Sequence, residues 1–183
     1  MTAVPEPQYY TAEEYFALPD APNGVVTELH EGEIVALARP TRMHQRIASR
    51  AFARIDAFIQ SNGGPCSVDQ EIDVKLTEDT VVVPDVAVTC DPSKLDEKRC
   101  NGAPDWVIEI LSPHNSDHDT VEKLAIYQKS GVREYWIVDP VSQKTLVYFF
   151  EKSDLPDIYT FDTPIPVGIY DKALSIRIAD LLA

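Results

Sequence analysis

The segment Asp105-Trp106-Val107-Ile108-Glu109-Ile110-Leu111 constrains the fold more than any other. Its apolar residues run without alternation, the pattern of a strand covered on both faces. Glu109 interrupts that pattern. An unpaired carboxylate is costly to bury or is forced to take a proton, so a covered Glu109 requires a cation, a metal or a hydrogen-bond network. The other reading is an edge strand with Glu109 turned to water.

A second apolar run, Val81 to Val88, is interrupted by Pro84-Asp85. Proline there marks a bulge or a strand start, or an ordinary loop-to-strand junction. If neighbouring strands set Asp85 beside Glu109, the two carboxylates favour a hard divalent cation, Mg²⁺ or Mn²⁺. Downstream, Asp119, Lys123 and Tyr127 stand at i, i+4 and i+8 and share one helical face. Asp119 and Lys123 make either a solvated ion pair or a face that aims Lys123 at the carboxylates, to stabilise developing phosphorane charge or help deprotonate a water.

The remaining chain supplies the frame. Thr11 with Glu13 and Glu14 predicts a short helix over 12–18. A hairpin follows, 25–29 and 33–37 around His30-Glu31-Gly32. Apolar spacing predicts a long helix over 43–60, with Arg42, Arg46, Arg50 and Arg54 on another face. Strands are expected at 66–76, 81–90, 106–111, 135–138 and 145–150, with a helix at 119–130. The order predicts an α/β (α+β) fold, a mixed sheet flanked by helices with an N-terminal hairpin. Residues 1–10 read as a flexible leader and 11–183 as a single domain.

The 183 residues carry 30 acids against 16 Lys and Arg, a formal charge of −14. That balance counts against non-specific gripping of a polyanion. No stretch is long and apolar enough for a membrane helix, and no secretory signal is visible. Three cysteines without a CxxC pair predict neither a disulfide framework nor a Cys-based zinc site. The expectation is a reduced, cytoplasmic protein.

Four separated motifs then carry a family likeness. Pro84-Asp85, Trp106 to Asn115, Lys123-Leu124-Ala125-Ile126-Tyr127 and Gly131 to Pro140 resemble, in order and spacing, the Uma-two family of restriction-endonuclease-like proteins. Glu28 to Val35 and His44 are similar to that family's hairpin and first core helix, so the likeness covers roughly residues 10–150.

The resemblance implies a PD-(D/E)XK core that hydrolyses DNA phosphodiesters. Asp85 and Glu109 would hold Mg²⁺ or Mn²⁺ with the Ile110 backbone carbonyl, and Glu28 would be an additional acid. The pattern expects lysine two residues after the second acid, where this chain has Leu111. Lys123 matches a relocated lysine on the following helix. Gln70 could hydrogen-bond a water or phosphate, and His44, Arg46 and Tyr127 would contact substrate. The 112–118 loop could act as a lid. A homodimer is expected, covered at the hairpin and at the aromatic strand 147–150. The alternatives are an inactive dimeric binding or regulatory protein on the same fold, or a hydrolase of another phosphoester.

Overall fold

A computed structural model describes residues 8–19, 21–112 and 117–183. Residues 1–7 of the expected leader and 113–116 of the expected lid lie outside the described residues. Tyr10, at the end of that leader, donates its N–H to the Gly32 carbonyl.

The first helix, α1 (Ala12–Phe16), starts at a capping box: the Thr11 hydroxyl accepts from Glu14 N–H while the Glu14 carboxylate accepts from Thr11 N–H. The hairpin β1 (Thr27–His30) and β2 (Glu33–Ala36) turns through Glu31 and Gly32, both at positive φ, the handedness that matches strand twist. The long helix α2 (Arg42–Asn62) is capped by Thr41 and buries Ile47, Ala51, Ile55 and Ile59.

The predicted strand over 66–76 is instead two, β3 (Ser67–Asp69) and β4 (Asp73–Lys75), separated at Glu71, whose φ is +50°. The predicted strand over 81–90 is also two, β5 (Val81–Val82) and β6 (Val86–Thr89), parted at Pro84-Asp85. Both breaks have one cause: the chain leaves one sheet and enters another, and Glu71 N–H bonds the Pro84 carbonyl across the crossing. Next come β7 (Arg99–Asn101) and β8 (Trp106–Ile110), then α3 (Asp117–Ser130). The chain continues through β9 (Glu134–Asp139), β10 (Lys144–Phe149), β11 (Asp157–Thr160), β12 (Ile165–Pro166) and β13 (Ser175–Ile176).

A six-stranded sheet has the order β11-β10-β9-β8-β6-β3 and a five-stranded sheet the order β2-β1-β5-β4-β7; β12 and β13 pair separately. β8 and β9 are parallel and joined through α3, as a parallel crossover requires. Trp106, Ile108 and Ile110 pack with α2 and the C-terminal segment, whereas Val107 packs with Ile126 and Tyr127 of α3 and with Val74, Val82 and Cys100. The six-stranded sheet is thus covered on both faces, as the unalternated run required. Alternation puts Glu109 on the α3 face.

Two expectations need correction. Cys66 and Cys90 flank the β3–β6 ladder and form a disulfide, leaving Cys100 as a buried free thiol. The cysteine count missed this because the pairing depends on strand register, not on local spacing. The strand around 147–150 offers no broad exposed face: β10 lies between β9 and β11, with Val147 and Tyr148 buried. The hairpin region does expose Val25, Val26 and Ile34.

Candidate active site

The two sheet crossings meet at the end of β6. The β6–β8 ladder reaches Val86↔Ile108, and just beyond it the Asp85 carboxylate receives the Ile110 N–H at 2.7 Å. His44, in the first turn of α2, brings Nε2 to 3.0 Å from the same oxygen, Asp85 Oδ2. Proline before Asp85 suits this position, because the chain is leaving the ladder and has no use for another strand N–H.

Glu109 is held from the opposite side by α3. Lys123 Nζ donates to Glu109 Oε1 at 3.0 Å and Tyr127 OH donates to the same oxygen at 2.7 Å. Lys123 also donates to Glu28 Oε1 at 2.9 Å, which ties β1 to α3. Glu28 is fully buried and has further partners, Val83 N–H and His30 Nε2, each at 2.8 Å. His30 Nδ1 in turn lies 3.3 Å from Glu122. Lys123 therefore reaches both carboxylates, while the Asp119 side chain, its expected i,i+4 partner, is outside the described part of the structure.

Charge follows from burial. Desolvation pushes the Glu109 carboxyl up to about 7; Lys123 opposes this, while Asp85 and Glu28 reinforce it. Burial works against the charged form of Lys123, but Glu109 and Glu28 outweigh it and raise its pKa. Lys123 is therefore held as a cation between the two carboxylates. Glu28 is also costly to bury, yet Lys123, His30 and Val83 hold its pKa below the ordinary value. In His44, burial is outweighed by Asp85, with Glu109 and Glu71 adding to the upward shift.

Asp85, Glu109, Ile110, Lys123 and His44 line a cavity of about 170 Å³. Its other walls include Val26, Leu37, Ala38, Pro40, Glu71 and Val83. Glu71 was not singled out in the sequence; its left-handed backbone at the sheet crossing turns the chain so that it, and not the candidate Gln70, borders this cavity. Tyr127 is fully buried and spends its hydroxyl on Glu109, so it is a positioning residue and not a substrate contact. Arg46 is absent from the cavity lining: it donates to the Leu182 carbonyl. Arg50 and Arg54 likewise donate to carbonyls of Leu181 and Ser175. Arg46, Arg50 and Arg54 thus clamp the C-terminal segment.

The donor set suits a hard cation. Asp85 Oδ1 and Glu109 Oε2 accept no hydrogen bond among the described residues, and both carboxylates border the cavity. Among the described residues no cluster of three His, Cys, Asp or Glu is arranged to hold a metal. Glu28 does not border this cavity, and its oxygens are held by Lys123, His30 and Val83. A cation would rely on two side chains, the Ile110 carbonyl, water and substrate oxygens, an arrangement typical of Mg²⁺.

Known proteins share this frame. A crystal structure of a "putative nuclease belonging to DUF820" from Anabaena variabilis ATCC 29413 superposes with a TM-score of 0.79 at 25% identity, covering 94% of this chain and 97% of that one. An "Uncharacterized protein" of Synechocystis sp. (strain ATCC 27184 / PCC 6803 / Kazusa) is 27% identical over 125 residues, 66% of this chain. The match spans 64% of that relative, just under two thirds of its length. The fold is that of the restriction-endonuclease-like nucleases. Residues 12–164 match the Uma2 family model, described as "Putative restriction endonuclease", and the chain belongs to that family.

Proposed function

We propose that residues 11–183 act as one unit that hydrolyses phosphodiester bonds of DNA with Mg²⁺ or Mn²⁺. The observation that carries this reading is the meeting of Asp85, Glu109 and Lys123 in one cavity, each fixed by a separate element.

Asp85 and Glu109 would hold the cation, with the Ile110 carbonyl beside them. When bound, such a cation lowers the pKa of water and offsets charge on the phosphoryl oxygens. Lys123, protonated and anchored by Glu28, stabilises negative charge that accumulates on the phosphoryl group during in-line attack. Tyr127 keeps Glu109 from rotating away. His44 holds Asp85 and stands at the cavity wall, within the volume a phosphate would enter. We also infer self-association through the hairpin, where Val25, Val26 and Ile34 are exposed.

The test is incubation of the purified chain with plasmid and oligonucleotide DNA, with Mg²⁺, Mn²⁺ or chelator. Cation-dependent cleavage that disappears in Asp85→Asn and Glu109→Gln is expected. Cleavage unaffected by either substitution overturns the reading. A binding protein on the same fold is the second reading, favoured by the absence of a three-residue metal cluster among the described residues; it predicts no Mn²⁺ heat in calorimetry.

A further inference from the structure

Resting on that reading, we infer that the substrate strand is engaged unpaired. One base lies against the aliphatic wall of Val26, Leu37, Ala38 and Pro40, its phosphate faces Asp85, Glu109 and Lys123, and the adjoining phosphate meets Arg39.

The size of the cavity is the first reason. At about 170 Å³ it has room for one base-sized group, which can enter only when it is not held in a pair. The second reason is its division. Carboxylates and Lys123 form one pole, and four aliphatic side chains of the hairpin and the 37–40 linker face them. Leu37 N–H bonds the Val26 carbonyl, which holds the linker against the hairpin and makes the wall continuous. A phosphate needs only the polar pole. The apolar wall gains nothing from a backbone and suits the face of a base.

The third reason is charge. Gripping duplex DNA from outside requires rows of Lys and Arg free to neutralise phosphates. Here Arg46, Arg50 and Arg54 are committed to C-terminal carbonyls. Lys75, Lys129, Arg133 and Arg177 are paired with acids. With these cations engaged and a net charge of −14, enclosing a base against the aliphatic wall adds affinity that phosphate contacts alone do not supply.

The wall continues into an adjoining cavity of about 420 Å³ that shares Val26, Leu37, Ala38, Pro40 and Glu71 and adds Arg39 and Gln45. Arg39 is exposed and makes no ion pair among the described residues, so it is a cation placed beside the path and not committed elsewhere. The two cavities, with one shared wall, form a track for successive nucleotides of a single strand.

The experiment uses the full chain and one fluorescein-labelled oligodeoxynucleotide in three forms: single-stranded, fully paired, and paired around a central unpaired bubble. Binding is read by anisotropy with Ca²⁺, and cleavage with Mn²⁺. Single strand and bubble are expected to bind about tenfold more tightly than duplex and to be cut faster, within the unpaired part of the bubble. Val26→Ser with Leu37→Ser makes the wall polar and should remove that preference in a variant that keeps its fold by circular dichroism. Arg39→Ala should reduce the salt slope of single-strand binding by about 0.7. Duplex bound and cut as well as single strand, or full preference in the folded Val26→Ser/Leu37→Ser variant, overturns this inference and leaves the phosphodiester reading standing. If no form is cut, the phosphodiester reading fails and takes the inference with it.

Discussion

Lys123→Met tests the charge arrangement on which the site depends. Methionine keeps most of the apolar stem and removes the ammonium that lies between Glu28 and Glu109, at 2.9 and 3.0 Å. The Glu28 side chain is wholly inaccessible, and those of Lys123 and Glu109 are about one tenth exposed, so solvent screens little of the loss. Removing one partner of a buried pair costs about 3–5 kcal/mol. At about 2–4 °C per kcal/mol for a chain of this size, melting should fall by roughly 6–20 °C. Glu28→Gln, made in the Lys123→Met background, removes one of the stranded charges and keeps an acceptor for Val83 N–H. The double variant should therefore be more stable than the sum of the single losses by about 1–3 kcal/mol. Urea denaturation of all four proteins, followed by circular dichroism, gives the coupling. Additive losses, within about 0.5 kcal/mol, would show that Lys123 does not neutralise Glu28, and the electrostatic account of the site would be wrong.

Four further outcomes follow from particular contacts. Burial disfavours the His30 cation, but the Glu28 bond and charge, with Glu122, raise its pKa overall; its contribution is thus fully present below about pH 6.5 and is lost as pH rises through the folded value. His30→Gln should abolish that part of the stability decline in denaturant titrations taken across neutral pH, and an unchanged slope would refute the assignment. Tyr127→Phe removes one of the two donors to Glu109 Oε1, leaving Lys123 alone on it, and should cost about 1–3 kcal/mol of stability, whereas a mere substrate contact would leave melting unchanged. A Cβ at Gly168 would stand 2.9 Å from the Phe149 ring and 3.1 Å from Glu134 Oε2, so Gly168→Ala should lose about 1–3 kcal/mol, measured by chemical denaturation. Thiol titration of unreduced, denatured protein should find one free thiol, Cys100; reducing Cys66–Cys90, 24 residues apart, should cost about 3 kcal/mol.

A second buried carboxylate shows how unlike roles arise from one residue type. Glu134, in β9, accepts from Trp136 Nε1 at 2.7 Å and from Ile169 N–H at 2.9 Å, which ties the C-terminal segment to the six-stranded sheet. It is as buried as Glu28. Burial raises its pKa despite those donors. No basic side chain hydrogen-bonds it among the described residues, and it does not border the cavity of Asp85 and Glu109. We assign it to architecture.

The residues themselves determined a covered strand through Glu109, a break at Pro84-Asp85, the long α2 and the helical face carrying Lys123. Each is a local matter of periodicity, a missing N–H or one charge among apolar neighbours. Sequence order also predicted the mixed sheet between helices. Tertiary structure alone decided that 66–76 and 81–90 divide between two sheets, because a strand can change partners without changing its residue pattern. The same crossing put Glu71 at the cavity in place of Gln70. The roles of Arg46 and Tyr127 lay beyond the sequence for a related reason: a helical period tells which residues share a face, but not what that face meets. For Arg46 it meets the carbonyl of Leu182, 136 residues away along the chain. For Tyr127 it meets Glu109, and the hydroxyl that could have bound substrate instead holds the carboxylate in place.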